Sequence, residues 1–471
     1  MSSRTAGAHT EAPPLISRTR QPLLALLIRL HLYVGLVVGP FIFVAALSGL
    51  VYALTPQLED QLYAQQLYTE SSGTPLPLSQ QVAIAQANVG EAATLAAVRP
   101  SPTPGTTTRV MFQTPELGPS ESRALFIDPV NGDIRGDMLV YGTSGVLPLR
   151  TWLDQFHRSL LLGEPGRIYS ELAASWLWVA AVGGFALWVI RRKRQRAAQS
   201  TRASGLRHWH ATLGLCLLVG LLFFSATGLT WSRWAGDNIG VARMVLGMST
   251  PSVSTALNGE TAMPVGEHDH HAGMAMPMAE GDKPAITDSA LFDAVVQVAR
   301  EAGIDASKLE IAPAKGPDRA WTVTEIDRSW PTQVDAVAID PNTMQVTDRI
   351  DFASFPIAAK LTRWGIDAHM GALFGLANQL LLVVTALGLA VLVALGYLMW
   401  WRRRAQRKAG DGTMMQVLRD LSPGRRWGAA VIALIFGYCL PVLGVSLLLF
   451  LLYDLLRSMR WRRRADGVRS L

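Results

Sequence analysis

The distribution of apolar residues along the chain predicts several membrane-spanning helices. A transmembrane helix needs about 20 consecutive, mostly apolar residues. The stretches that meet this requirement are residues 30–54, 172–190, 208–231 and 373–401. A further apolar region, residues 427–456, contains Pro441 near its middle. It is predicted to be either a hairpin that turns near residues 437–441, the interpretation we favour, or a fifth span.

Basic residues are concentrated in the short segments that flank the apolar stretches. These segments are residues 1–29, 191–207, 402–426 and 457–471. Short loops rich in Lys and Arg remain in the cytoplasm. The longer segments, residues 55–170 and 232–365, are therefore predicted to lie in the periplasm of a bacterium, with the spans in its inner membrane. A C-terminal hairpin keeps the basic tail on the cytoplasmic side as well.

Composition agrees with a membrane protein that also has sizeable soluble parts. Apolar residues make up 49% of the chain and charged residues only 17%. The formal net charge is +7, but the positive charge lies beside the predicted spans. This placement indicates membrane orientation rather than nucleic-acid binding, so the predicted partner is the lipid bilayer.

The chain contains an internal repeat, which is clearest around four histidines. A Gly-Leu pair begins four residues after both His31 and His210. A second Gly-Leu pair begins 18 residues after each histidine, within Ser-Gly-Leu in the first half and within Thr-Gly-Leu in the second. His157 and His369 precede the second and fourth spans, and each is followed six residues later by a glycine. Matches at fixed spacing indicate duplication rather than shared composition. The repeating half is a span, an outer segment and a second span.

Each outer segment shows the same order of predicted elements. The first has a helical run at residues 79–97 and strand-like runs at 109–113 and 124–127, and the second has a helical run at 288–302 and strand-like runs at 320–326 and 336–339. An Asp-Pro turn follows in both, at Asp128 and Asp340. Residues 55–170 and 285–365 are therefore each predicted to form a small helix-plus-hairpin domain.

These features together resemble the PepSY-associated membrane-protein family over nearly the whole chain. The resemblance rests on the histidine-glycine span starts, the duplicated outer domains with Asp-Pro turns, and the basic cytoplasmic loops. It implies a mostly α-helical membrane protein with a four-helix haem-binding core, two small α+β PepSY-like periplasmic domains and a twofold repeat. The family includes inner-membrane di-haem reductases that reduce ferric siderophores, so the resemblance implies a similar activity in iron uptake.

The four histidines are the predicted axial ligands of two haems b. A titratable residue in or beside a membrane span is costly and suggests function. His31 and His210 head the first and third spans, near the cytoplasm, whereas His157 and His369 precede the even spans, near the outer face. Facing helices can supply one imidazole each to a haem iron. His208 is the runner-up to His210, although only His210 fits the repeat; the alternative for all four is an ordinary interfacial histidine.

Two further groups of residues are candidates for binding. Guanidinium groups bind carboxylates in a bidentate manner, so the arginines near the outer histidines are predicted contacts for haem propionates or, alternatively, interfacial anchors. They are Arg150, Arg158, Arg167 and Arg363. The second half also contains an insert, residues 232–284, that is rich in thioether and imidazole groups, which bind copper. Its candidate ligands for copper or iron are Met263, His268, His270, His271, Met274, Met276 and Met278.

The predicted function is electron transfer across the membrane to a metal chelate. Electrons are expected to enter at the His31/His210 haem and to leave from the His157/His369 haem for a ferric siderophore or Cu(II). We find no Walker or Gly-x-Gly-x-x-Gly motif in the sequence, so the donor is predicted to be a cytoplasmic reductase or a quinol. Two alternatives stay open: a copper-handling protein, and a non-enzymatic PepSY scaffold or regulator without haem.

Overall fold

The computed structural model describes residues 22–90, 92–118, 120–197, 205–258, 288–404 and 413–469. Within these ranges the chain forms a bundle of long apolar helices with a β-sheet at one end. Four helices are long and apolar enough to cross a membrane: Pro22–Ala53, Gly163–Lys193, Gly375–Arg404 and Pro441–Met459. A fifth crossing is formed if the bent pair Gly205–Cys216 and Leu218–Thr230 acts as one span. The protein is therefore an integral membrane protein.

The first and third spans are both irregular shortly after their histidine. The first consists of α1 (Pro22–Tyr33), a π-helical turn (Val34–Val38) and α2 (Gly39–Ala53). It therefore begins at Pro22 rather than at residue 30 as predicted. The third consists of α8 (Gly205–Cys216) and α9 (Leu218–Thr230), which meet at an angle of 59°. Such breaks in a helix are frequent at functional sites.

The break in the first span has a local cause. Pro40 has no backbone N–H, so it cannot donate the α-helical hydrogen bond to the carbonyl of Leu36. The hydroxyl of Tyr397, on the fourth span, donates to that carbonyl at 2.6 Å instead. The Tyr397 ring also packs 3.4 Å from the position that a Cβ at Gly39 would occupy. A contact between spans therefore satisfies the polar group that the proline leaves open.

The sheet domains contain more strands than predicted. After α3 (Thr55–Leu62), α4 (Ala64–Leu67) and α5 (Leu78–Val89), the first domain has β1 (Thr94–Arg99), β2 (Thr108–Gln113), β3 (Glu121–Ile127) and β4 (Ile134–Tyr141). After α10 (Trp234–Val245), the second has α11 (Leu291–Glu301), β5 (Leu309–Ala312), β6 (Trp321–Glu325), β7 (Ala336–Asp340) and β8 (Gln345–Ile350). Each domain is thus one helix on a four-stranded meander. The predicted hairpins are the middle strand pairs, β2–β3 and β6–β7, and the outer strand on either side of each was not predicted.

The predicted helix at residues 79–97 is also too long. Gly90, at φ 84°, follows the end of α5, and residues 94–99 form β1 instead. The alanines of this segment favour a helix locally, but pairing with β2 overrides that preference.

The two domains form one continuous sheet. The strand order is β4-β3-β2-β1-β5-β6-β7-β8, and β1 pairs with β5 in antiparallel orientation at Val98 and Ile311. Helices α5 and α11 pack on one face, where a single apolar core crosses the seam and includes Val82, Phe292 and Val98. Because successive side chains of a strand point to opposite faces of the sheet, the strand residues that alternate with these core residues lie on the other face.

Two short amphipathic helices connect the sheet to the spans. They are α6 (Pro148–Ser159) before α7 (Gly163–Ala197), and α12 (Ile357–His369) before α13 (Gly375–Arg404). The glycines that follow the histidines by six residues, Gly163 and Gly375, have φ of 64° and 55°. A side chain is unfavourable in this left-handed conformation, which explains why both halves have glycine where α7 and α13 begin.

The C-terminal region contains α14 (Met414–Asp420), α15 (Pro423–Cys439) and α16 (Pro441–Arg469). Helices α15 and α16 meet at Leu440 and pack closely, with Gly437 against Gly444. The Nδ2 of Asn238, on α10, donates to the carbonyls of Tyr438 and Cys439 at 3.2 and 3.1 Å. The turn between the two helices therefore lies beside the helix that follows the third span.

Candidate functional site

His31 and His210 face each other at the end of the bundle away from the sheet. Their ring centres are 6.3 Å apart and their planes are nearly perpendicular, at 81°. Two imidazole nitrogens that each lie about 2 Å from one metal ion place the ring centres roughly 6 Å apart. The observed spacing is therefore compatible with both imidazoles holding one metal ion. We call these residues the sheet-distal pair.

Contacts from the even spans orient the sheet-distal pair. The Nδ1 of His210 is 3.1 Å from the carbonyl of Leu392, to which it donates as the Nδ1–H tautomer. This tautomer leaves the lone pair of Nε2 available for a metal. A Cβ at Gly184 would lie 3.1 Å from Cε1 of His31, and one at Gly396 would lie 3.7 Å from Cε1 of His210. Glycines thus allow α7 and α13 to pack directly on the two rings.

The structure distinguishes His210 from His208. His210 is half-buried opposite His31, whereas His208 is exposed beside Trp209. Residues two apart on a helix point to different sides, so only one of the two histidines can face into the bundle.

His157 and His369 lie at the sheet end of the bundle, and each contacts a hydroxyl of an odd span. The Nδ1 of His157 is 2.8 Å from Oγ of Ser48, and the Nδ1 of His369 is 2.6 Å from Oγ1 of Thr227. Both hydroxyls donate to carbonyls of their own helices, at 2.8 and 2.7 Å respectively. The hydroxyls therefore accept from Nδ1–H, and Nε2 is again left for a metal. We call these histidines the sheet-proximal pair.

The hydroxyl partners occupy equivalent positions in the repeat. Ser48 follows His31 by 17 residues, and Thr227 follows His210 by 17 residues. The Ser-Gly-Leu and Thr-Gly-Leu motifs therefore do more than pack helices. In the first half the glycine also meets the ring, since a Cβ at Gly49 would lie 3.2 Å from Cε1 of His157. The duplication thus repeats both the histidines and the groups that orient them.

A large basic cavity adjoins the sheet-proximal pair. It has a volume of about 1230 Å³ and lies between the sheet and the helix ends. Its wall includes Met370, next to His369 in sequence, and Trp231, whose ring centre is 5.5 Å from that of His369. A molecule in this cavity therefore lies close to His369, although neither histidine of the pair lines the wall itself. The joined sheet covers the cavity.

All four predicted arginines line this cavity, and three of them pair with carboxylates. Arg150 pairs with Glu59, Arg167 with Glu164 and Arg363 with Asp367, at 2.5, 3.6 and 3.0 Å. The fourth, Arg158, forms no ion pair with any residue in the described ranges. Its Nη2 donates to Tyr141 and Gln155.

The sequence matches one protein family over most of its length. A profile of the PepSY-associated TM region matches residues 28–403. The chain belongs to the PepSY-associated transmembrane family. Among curated proteins, no sequence matches the chain significantly. The family region includes both histidine pairs and both halves of the sheet, and it ends at the fourth span, before α14.

Several residues of this PepSY-associated protein were missed by the sequence analysis. Arg99 and Arg109 lie in direct cross-strand register on β1 and β2 and line the cavity. Strand alternation with Val98 would have placed Arg99 on the face opposite the core, had β1 been predicted as a strand. Ser48 and Thr227 were visible only as parts of a repeat. The predicted Met/His ligands, residues 263–278, lie outside the described residues.

Proposed function

We propose that this protein binds two haems b and passes electrons across the membrane to a ferric chelate, in support of iron uptake. The observation that carries the proposal is the pair of facing imidazoles at 6.3 Å, His31 and His210. It is supported by a second histidine pair whose Nδ1 atoms are both held by hydroxyls. A haem bound at each pair would supply one-electron exchange.

The protein's own groups hold the ligands and control access. Ser48 and Thr227 fix the tautomers of the sheet-proximal pair, and the carbonyl of Leu392 does the same for His210. The 17 residues from His31 to Ser48 correspond to about 25 Å of helix rise. The two haems would then lie near opposite faces of a hydrocarbon core that is about 30 Å thick. The cavity beside His369 would receive the chelate.

The proposed orientation places the sheet in the periplasm of a bacterial inner membrane. The basic clusters after α7 and α13 favour a cytoplasmic location for the opposite end. At that end Tyr33, two residues after His31, donates to Asp454 of α16 at 2.9 Å. Helices α15 and α16 would then form the predicted hairpin, which turns at Leu440 and keeps the C-terminus in the cytoplasm. A C-terminal reporter that is active only in the cytoplasm tests this topology, and an inactive reporter would contradict it.

The haem proposal is tested by the visible spectrum of the purified, reduced protein. We expect a b-type α band with two haems per chain. His369→Ala should remove one haem and spare the other, because each pair binds independently. His208→Ala is the matched control and should retain both haems. Absence of the α band would refute the proposal and favour a scaffold without haem.

Copper is a second candidate acceptor because of the insert rich in Met and His. Thioethers select Cu(I), and imidazoles accept either oxidation state. Anaerobic reoxidation of the reduced protein by ferric chelates and by Cu(II) complexes separates the two. A protein in which only Cu(II) restores the oxidised spectrum would be a copper reductase. Anaerobic reduction of the oxidised protein by a quinol tests whether a quinol is the electron donor.

A further inference from the structure

The cavity wall formed by the sheet contains two arginines in an unfavourable arrangement. Arg99 and Arg109 are direct cross-strand partners at the seam between the two domains. Like charges opposite each other in a sheet are destabilising. Arg99 is neutralised by Glu310 at 2.5 Å and is held by the carbonyls of Thr143 and Ser144. The repulsion between the two guanidinium groups is therefore least compensated at Arg109.

Arg109 forms no ion pair with any residue in the described ranges, although the carboxylate of Glu59 is near enough to favour its charged form. Its Nη1 donates to the carbonyl of Gly145 at 2.7 Å, and its guanidinium lies 4.9 Å from the ring centre of Phe126. Burial, and then the charge of Arg99, lower the pKa of Arg109 to about 9. A bound anion would counteract the loss of hydration and the repulsion by Arg99, since it would accept hydrogen bonds from the Arg109 guanidinium and carry the opposite charge.

The cavity as a whole carries excess positive charge. Ten basic side chains and seven acidic side chains line it. The predicted propionate contacts lie on the helices, whereas Arg99 and Arg109 lie on the sheet, although Arg109 is near enough to Arg150 to feel its charge. The volume of about 1230 Å³ exceeds the roughly 300–1,000 Å³ of usual small-molecule sites, so the cavity is large enough to admit a metal chelate.

We propose that Arg109, supported by Arg99, binds a carboxylate of the metal chelate, so that the cavity selects anionic carboxylate chelates over cationic ones. This inference rests on the proposed function and adds the charge class of the substrate. Guanidinium is suited to this role because its fork of N–H donors matches both oxygens of a carboxylate. Arg109 is a specificity-determining residue and takes no part in electron transfer itself.

The test measures equilibrium binding of redox-inert gallium(III) chelates to the full-length protein in detergent. Gallium(III) citrate is the anionic probe, and the gallium(III) complex of desferrioxamine B is the cationic probe. We expect the citrate complex to bind about 10-fold or more tightly than the cationic complex. Raising the salt concentration from 50 to 300 mM should weaken the citrate complex, because the attraction is electrostatic.

Variants assign this selectivity to Arg109. Arg109→Gln should weaken gallium citrate binding by about 10-fold or more, and Arg109→Lys should weaken it less because the charge remains. Arg123→Gln is the matched control, since Arg123 is a partly exposed sheet arginine that is paired with Asp137 and does not line the cavity. This variant should bind as the wild type does. The visible spectrum should be the same in all four proteins.

Three binding results would overturn the inference. They are equal affinity for the two gallium complexes, unchanged binding by Arg109→Gln, and equally tight binding of metal-free citrate, which would indicate a general anion site. Loss of a haem from Arg109→Gln would also overturn it, because Arg109 would then be a propionate ligand. Absence of haem from the wild type refutes the proposed function alone, since gallium binding is measured without electron transfer.

Discussion

Asp367, on helix α12, forms two ion pairs, and the pair with Arg328 joins this helix to the sheet. Its side chain is fully buried. Its Oδ1 accepts from Nε of Arg328 at 2.6 Å, and its Oδ2 accepts from Nε of Arg363 at 3.0 Å. Arg328 also donates to Ser144 of the first domain at 2.7 Å. One acid therefore connects both sheet domains to the helix that carries His369.

Replacement of Asp367 by Asn should destabilise the protein by about 2–3 kcal/mol. Breaking a fully buried ion pair costs roughly 3–5 kcal/mol, because the remaining charge is left uncompensated. Here the arginine side chains are 22% and 30% exposed, so water screens part of that cost. Asn keeps the shape of the side chain but presents an NH₂ group to a guanidinium, and it cannot accept from both arginines.

The assay is thermal unfolding in detergent, followed by circular dichroism. Asp137→Asn is the matched control, because Asp137 forms a 2.7 Å pair with Arg123 but is 44% exposed. An exposed pair contributes about 1 kcal/mol or less. We expect Asp367→Asn to lower the apparent Tm by several degrees and the control to change it little. Equal shifts in the two variants would show that burial of the carboxylate does not set the strength of this joint.

Two other residues give separate predictions. Ser48→Ala should weaken the sheet-proximal haem by about 10- to 100-fold, because the Nδ1–H of His157 loses its acceptor; Ser48→Thr should retain it, and haem titration that finds no difference would contradict this role. Burial raises the pKa of Asp128, but hydrogen bonds from Ser71, Thr69 and backbone N–H groups outweigh burial and lower it overall. The resulting stability is present above the unfolded pKa and is lost as pH falls below about 4, so Asp128→Asn should flatten the fall in apparent Tm between pH 5 and 3; an unchanged slope would contradict the assignment.

The prediction of spans and of the repeat from sequence worked because both are local properties. A membrane span is recognised from the apolar content of one continuous segment. The duplication is visible because both halves keep the same spacing, for example from His157 to Gly163 and from His369 to Gly375. The left-handed conformation of both glycines gives that spacing a physical reason. Local preference was a poor guide at residues 94–99, where pairing with β2 turned an alanine-rich segment into a strand.

By itself, the sequence determined the membrane class, the twofold repeat and the four candidate histidines. Only the tertiary structure decided how these residues combine, because the deciding contacts join residues far apart in the chain. His31 meets His210, Ser48 holds His157, and β1 joins β5. Segment composition does not encode such pairings, since packing of whole helices and strands sets them. The same reason hid the arginines of the cavity wall, whose charges come together only when the sheet closes over the helix ends.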